Sequence, residues 1–141
     1  GNGLHIAALL VKDAPAKDDL VALSGGSGDD PLACAAACEV FRQLECGLLS
    51  HVKSVGDALC EGLNNLSHYN CVRECRGVGL MAAVEFTSAD VCARVAAKVQ
   101  AAGYLPGCTG NVLFCKPPYV ITMEQVQGFI KALSDALEQE N

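Results

Sequence analysis

Between Ser24 and Pro31 the chain reads Ser-Gly-Gly-Ser-Gly-Asp-Asp-Pro and then runs into Leu-Ala-Cys-Ala-Ala-Ala-Cys. Glycines and hydroxyls ahead of a helix can cradle a phosphate through free backbone N–H groups. Carboxylates and thiols can hold a metal, and Asp-Pro is a common way for a helix to begin. The two carboxylates decide among these. Asp29 and Asp30 stand where an anion would sit, repelling it and competing for the same donors. The residues therefore favour a helix start, with Asp30 as cap and Pro31 in the first helical position. No Gly-Lys-Ser/Thr follows, so the stretch is not a P-loop. Ser24, Ser27 and the backbone of Gly25 and Gly26 are left as donors for a phosphate held to one side.

The other reactive residues are scattered. Nine cysteines occupy positions 34, 38, 46, 60, 71, 75, 92, 108 and 115, with no C-x-x-C and an odd total, which fits neither a zinc ribbon nor a disulfide framework. Several fall inside apolar helical patterns, where a thiol behaves as a small hydrophobe, so they read as buried reduced thiols. Cys34/Cys38 and Cys71/Cys75 are the pairs whose spacing admits a metal or redox site. His5, His51 and His68 share no ligand spacing, and no metal site is expected. Arg73 and Arg76 beside Glu74 and Glu85 admit a carboxylate clamp but more commonly read as surface ion pairs, and Arg76-Gly-Val-Gly79 reads as a tight strand entry. No Ser/His/Asp or Cys/His set converges, so the residues alone name no mechanism.

The chain of 141 residues is enough for one core, 51% of it apolar but only 5% aromatic and without Trp, so that core must come from Ala, Val, Leu and Cys. The net charge is −6 and the ten Lys and Arg are dispersed, which argues against nucleic acid and anionic membranes as partners. No apolar run reaches the length of a membrane span and no signal peptide is visible, so a cytoplasmic location, or an organelle matrix, is expected. A start at Gly-Asn-Gly that moves at once into an apolar run reads as the middle of something longer.

The elements that must position these residues follow from periodicity. Residues 4–11 are continuously apolar and suit a strand buried on both faces. The helix opened by Asp30-Pro31 runs to about Glu45 and stops at Gly47. Leu49, Val52, Gly56, Leu59, Leu63 and Leu66 draw one stripe along a second helix, with Gly56 admitting a close backbone. In the β-like stretch that follows, Leu80, Ala82, Val84 and Phe86 face one way. Thr87 to Asp90 has cap spacing for a helix buried through Val91, Val95, Val99 and Ala102 and ended by Gly103. Tyr104–Leu105 and Val112–Cys115 are short strands around a turn. Thr122 and Gln125 form a capping box, with Ile121 and Val126 as staple, for a last helix buried through Val126, Phe129, Ile130, Leu133 and Leu137. The order predicts an α+β body, a small mostly antiparallel sheet with helices packed on one side. The strand at 4–11 is expected to belong to a different sheet.

Four stretches, "GNGLHIAALLV", "DDPLACAAA", "VRECRGVGLMAAVEF" and "GNVLFCKPPYVIT", resemble in order and separation the C-terminal portion of the class III, fold-type I, pyridoxal-phosphate-dependent aminotransferases. The resemblance covers nearly the whole chain. It implies that residues 1–30 are the end of a large α/β cofactor-binding domain and 31–141 a small C-terminal domain that closes over substrate. It implies a homodimer with sites completed across subunits, and pyridoxal 5'-phosphate as cofactor. A small-molecule amino donor and an oxo-acid acceptor would be the substrates. The imine-forming lysine would lie just upstream of Gly1, leaving no catalytic residue in this chain.

The family's elbow contacts the cofactor phosphate of the neighbouring subunit through a threonine, whose position here is Gly26, with Ser24, Gly25 and Ser27 beside it. The arginines that relatives bring to the substrate carboxylate fall at Phe114 and Leu105, so neither position supplies a guanidinium, and Lys116 is the neighbouring cation that can take the task. These departures keep a second reading open, a non-catalytic relative that binds or stabilises a partner. A third, a cysteine-based metal or redox module, fits metal-ligand spacing poorly.

Overall fold

The structure, a computed structural model, describes residues 4–6, 12–13 and 30–140. Residues 4–6 of the expected strand at 4–11 are described and form no strand; its remainder, 7–11, and the donors Ser24, Gly25, Gly26 and Ser27 lie outside the described residues. By internal contacts the chain divides into two compact units, Gly1–Gly47 and Leu48–Asn141. In the first, helix α1 spans Pro31–Gln43, and the Asp30 carboxylate accepts from the Leu32 N–H at 3.0 Å, as the Asp-Pro start predicts. Regular helix ends two residues earlier than expected, and the chain turns at Gly47, whose φ of +105° is open to glycine and strained for other residues.

The second unit contains α2 (Leu49–Asn64), β1 (Val72–Val78), β2 (Met81–Phe86), α3 (Ala89–Ala101), β3 (Gly107–Thr109), β4 (Val112–Cys115) and α4 (Met123–Glu138). The strands form one antiparallel sheet in the order β1-β2-β4-β3, the expected α+β layer. Ala82, Val84, Phe86 and Leu113 turn one sheet face into a core shared with α2, α3 and α4. Each fully buried Leu, Val or Phe there contributes about 1.5–3 kcal/mol.

The β region differs from expectation in one instructive way. Residues 72–86 are not one strand behind a tight entry but a hairpin. Val78 pairs with Met81 across the two-residue turn Gly79-Leu80, and Gly79 sits at φ +56°. The glycine that looked like a strand entry is the reversal itself. Arg73 is the extra residue of a bulge, since Val72 pairs with Phe86 and Glu74 with Glu85. The turn rests on α2. A Cβ on Gly56 would lie 2.6–2.8 Å from the backbone of Gly79, so the close approach expected at Gly56 is realised against the hairpin turn.

Elsewhere packing overrides the sequence pattern on a smaller scale. Leu49 begins the apolar stripe of α2 in sequence but is exposed, while Val55, not in that stripe, is buried. The cap of α3 is Ser88, which accepts from the Val91 N–H at 3.3 Å, and Cys92 rather than Ala102 completes the buried face. β3 begins at Gly107 rather than at Tyr104, because the partner strand β4 pairs only with residues 107–109. Cys34, Cys38, Cys46 and Cys108 are exposed, so burial describes only part of the cysteine set. The capping box of α4 is complete, with Gln125 N–H donating to Thr122 Oγ1 at 3.2 Å and Thr122 N–H to Gln125 Oε1 at 2.9 Å. No helix among the described residues is long and apolar enough to cross a membrane.

Just past α4, Glu140 accepts from Arg94 Nη2 and Lys98 Nζ, both at 2.7 Å, and so ties the end of α4 to α3. The hydrogen bond from Arg94, and then that from Lys98, holds its carboxyl down from the usual 4.5 to about 2. A lowered folded-state value means that the stabilisation is complete above about 4.5 and lost as pH falls towards about 2. The difference in thermal midpoint between the native chain and Glu140→Gln is therefore expected to be constant near neutrality and to vanish by about pH 2. Melting curves across that interval check it.

Candidate functional site

Where β4 leaves the sheet, Cys115-Lys116-Pro117-Pro118 passes beside Gly103-Tyr104-Leu105-Pro106, which leads from α3 into β3. The two segments and the start of α4 enclose a cavity of about 330 Å³. Local sequence explains both walls. Gly103, at φ +94°, ends α3 and releases Tyr104 and Leu105 in extended form. The prolines cannot continue the β4 ladder, so pairing stops at Cys115 and the chain swings out. The floor is apolar core, with Leu59, Val126 and Phe129 beneath and the Tyr104 ring edge-on to Phe129 at 5.7 Å between centroids.

Leu105 and Lys116, singled out in the sequence, meet at this cavity. Phe114 does not line it. It lies on the opposite sheet face from its buried neighbour Leu113, its ring seated over Gly107, where a Cβ would collide with it. Lys116 joins the two places, its Nζ lying 5.0 Å from the centroid of the Phe114 ring. Among the described residues Leu105 is the most exposed of the large apolar side chains, at 85%. Ile121, one residue before the cap of α4, also lines the cavity, and its carbonyl accepts from His51 Nε2 at 2.8 Å, which gives that histidine a structural role.

Among the described residues, Lys116 is the one charged side chain lining the cavity. Burial pushes the Cys115 thiol up to about 11, so it is a neutral wall at ordinary pH and not a nucleophile. Such a site can bind an apolar chain and orient one anionic group; its described lining residues contain no acid–base pair. Among the described residues no three His, Cys, Asp or Glu side chains gather as a metal would require.

The sheet face that carries Phe114 also carries a cation that the sequence reading left on the surface. Arg76, Ala83, Phe114 and Gly107 are register partners in one row across the sheet. Arg76 Nη1 is held by Glu74 at 3.0 Å and Glu85 at 3.1 Å, while Arg73 sits apart in the bulge. The signal for this row was the hairpin, without which Arg76 and Phe114 cannot be aligned. At the N-terminus of α1 the Asp30 carboxylate already accepts from the Leu32 N–H.

Three comparisons bear on this geometry. The family model "Aminotransferase class-III" matches residues 1–137. An acetylornithine aminotransferase of Methanocaldococcus jannaschii is 34% identical over 99% of this chain and 35% of its own length. That of Mycobacterium leprae is 33% identical over 98% and 34%. The chain thus spans about a third of the length of the curated relatives it matches. Among solved structures, an amine transaminase from an uncultivated Pseudomonas species in its PLP-bound form superposes with a TM-score of 0.69 at 31% identity, over 77% of this chain and 28% of that one.

Proposed function

The chain belongs to the class III aminotransferase family, and on that premise we propose that it is the C-terminal part of a pyridoxal-phosphate-dependent aminotransferase acting between an amine or amino acid and an oxo acid. Residues 1–30 then close the large domain and 31–141 form the small one. The imine-forming lysine lies outside these residues, and the full protein is a homodimer of the cytoplasm or an organelle matrix. The family's cofactor supplies the electron sink for amino transfer. Ser24, Gly25, Gly26 and Ser27 are the proposed phosphate contacts.

The observation that carries this chain's own part is the meeting of Leu105 and Lys116 at one cavity with Phe114 alongside. In this reading the apolar walls exclude water from the substrate chain and Lys116 holds a single carboxylate as a point charge. No bidentate guanidinium clamp stands at Phe114 or Leu105. A monocarboxylate acceptor suits that arrangement better than a dicarboxylate.

The test uses the full-length protein loaded with cofactor. Lys116→Met is expected to raise KM for a carboxylate-bearing acceptor roughly tenfold to a hundredfold, the worth of one charged hydrogen bond, with kcat much less changed. An unchanged KM removes Lys116 from the site. An amine-dependent change in the cofactor absorption band supports transamination. Its absence favours the non-catalytic reading, which Gly26, Leu105 and Phe114 motivate.

A further inference from the structure

We propose that Cys92 and Cys108 form a reversible disulfide site, whose reactant is a small-molecule disulfide such as oxidised glutathione. Cys92 lies in the first turn of α3, fully buried, and Cys108 is the middle residue of β3 at the sheet edge. Cys108 pairs in register with Leu113, which is buried in the core, so both turn towards the helix-covered face. Their sulfurs are in direct contact, Sγ to Sγ 2.8 Å. Cys108 is exposed at its rim and Cys92 is not.

That asymmetry sets the order of events. A small disulfide can reach only Cys108, whose thiolate attacks one sulfur, forming a mixed disulfide and releasing one thiolate of the reagent. Cys92 then attacks the Cys108 sulfur, forming the Cys92–Cys108 bond and expelling the second half of the reagent, which leaves as a thiol carrying the Cys92 proton. Two protein thiols are oxidised and one reagent disulfide is reduced to two thiols. Burial, and then the hydrogen bond with Cys108, push the Cys92 thiol up to about 12, which keeps it from reacting alone; contact with its target offsets its low thiolate fraction. The bond would tether β3 to α3. Tyr104, Leu105 and Pro106, one wall of the cavity, would then lie within the covalent loop closed between Cys92 and Cys108.

The full chain is incubated with oxidised glutathione at pH 8, in buffer and in 8 M urea, alkylated, and mapped by non-reducing peptide mass spectrometry with fragmentation to separate Cys108 from Cys115. The expected result is a Cys92–Cys108 cross-link in buffer, at least about tenfold more abundant than in urea because only the fold holds the sulfurs together. Cys92→Ala should halt the sequence at a stable glutathione adduct on Cys108. A native chain that carries the adduct on Cys108 without ever closing the bond would overturn the proposal. So would a cross-link equally abundant in urea.

Discussion

Gly56→Val is expected to lower the stability of the chain by about 3 kcal/mol, at the upper end of what overpacking costs, and its thermal midpoint by roughly 10 °C. A side chain inserted into most cores displaces another side chain, which can change rotamer. Here the obstacle is the backbone of Gly79, 2.6–2.8 Å from the position of the new Cβ, and Gly79 is committed to φ +56° by the reversal between β1 and β2. Helix α2 and the hairpin would have to separate. Gly56→Ala recovers about 1 kcal/mol of helix propensity and is still expected to destabilise. Gly103 and Gly110 serve as controls, because nothing stands within 4 Å of a Cβ there and only their positive φ values resist substitution. Urea unfolding of the set measures the contrast. A Gly56→Val chain as stable as the native one would mean that α2 does not touch the turn.

Phe86→Ala is expected to cost about 3–5 kcal/mol, a large share of the 5–15 kcal/mol that holds a domain together. Phe86 is among the largest fully buried side chains. Its backbone is fastened at both ends, with its N–H donating to the Asn111 carbonyl at 2.8 Å and its carbonyl accepting from Asn111 Nδ2 at 2.9 Å. The strand therefore cannot sink to fill the vacated space, and the cavity persists. Phe86→Leu, which keeps most of the volume, should cost less than half as much. Equal midpoints for the two variants would show that the site collapses freely.

These features differ in how much of them a sequence displays. The capping box of α4 was legible because both partners lie within one turn and depend on nothing else. The inward face of β2 was legible because alternation survives whatever packs on it. The hairpin reversal was not, since Gly79-Leu80 carries no Asn-Gly or Asp-Gly and takes its meaning from Gly56, more than twenty residues away. For the candidate site, Leu105 and Lys116 could be named singly by resemblance, but their meeting depends on β3 and β4 folding back together. Cys92 and Cys108 were invisible as a pair because neither helical nor strand periodicity links positions on different elements.

The link made by Glu140 has a practical corollary. Trimming the chain to residue 139 removes the anion that Arg94 and Lys98 share, and with it both ion pairs. Fusion partners and crystallisation truncations should accordingly be designed to keep residue 140 and its charge.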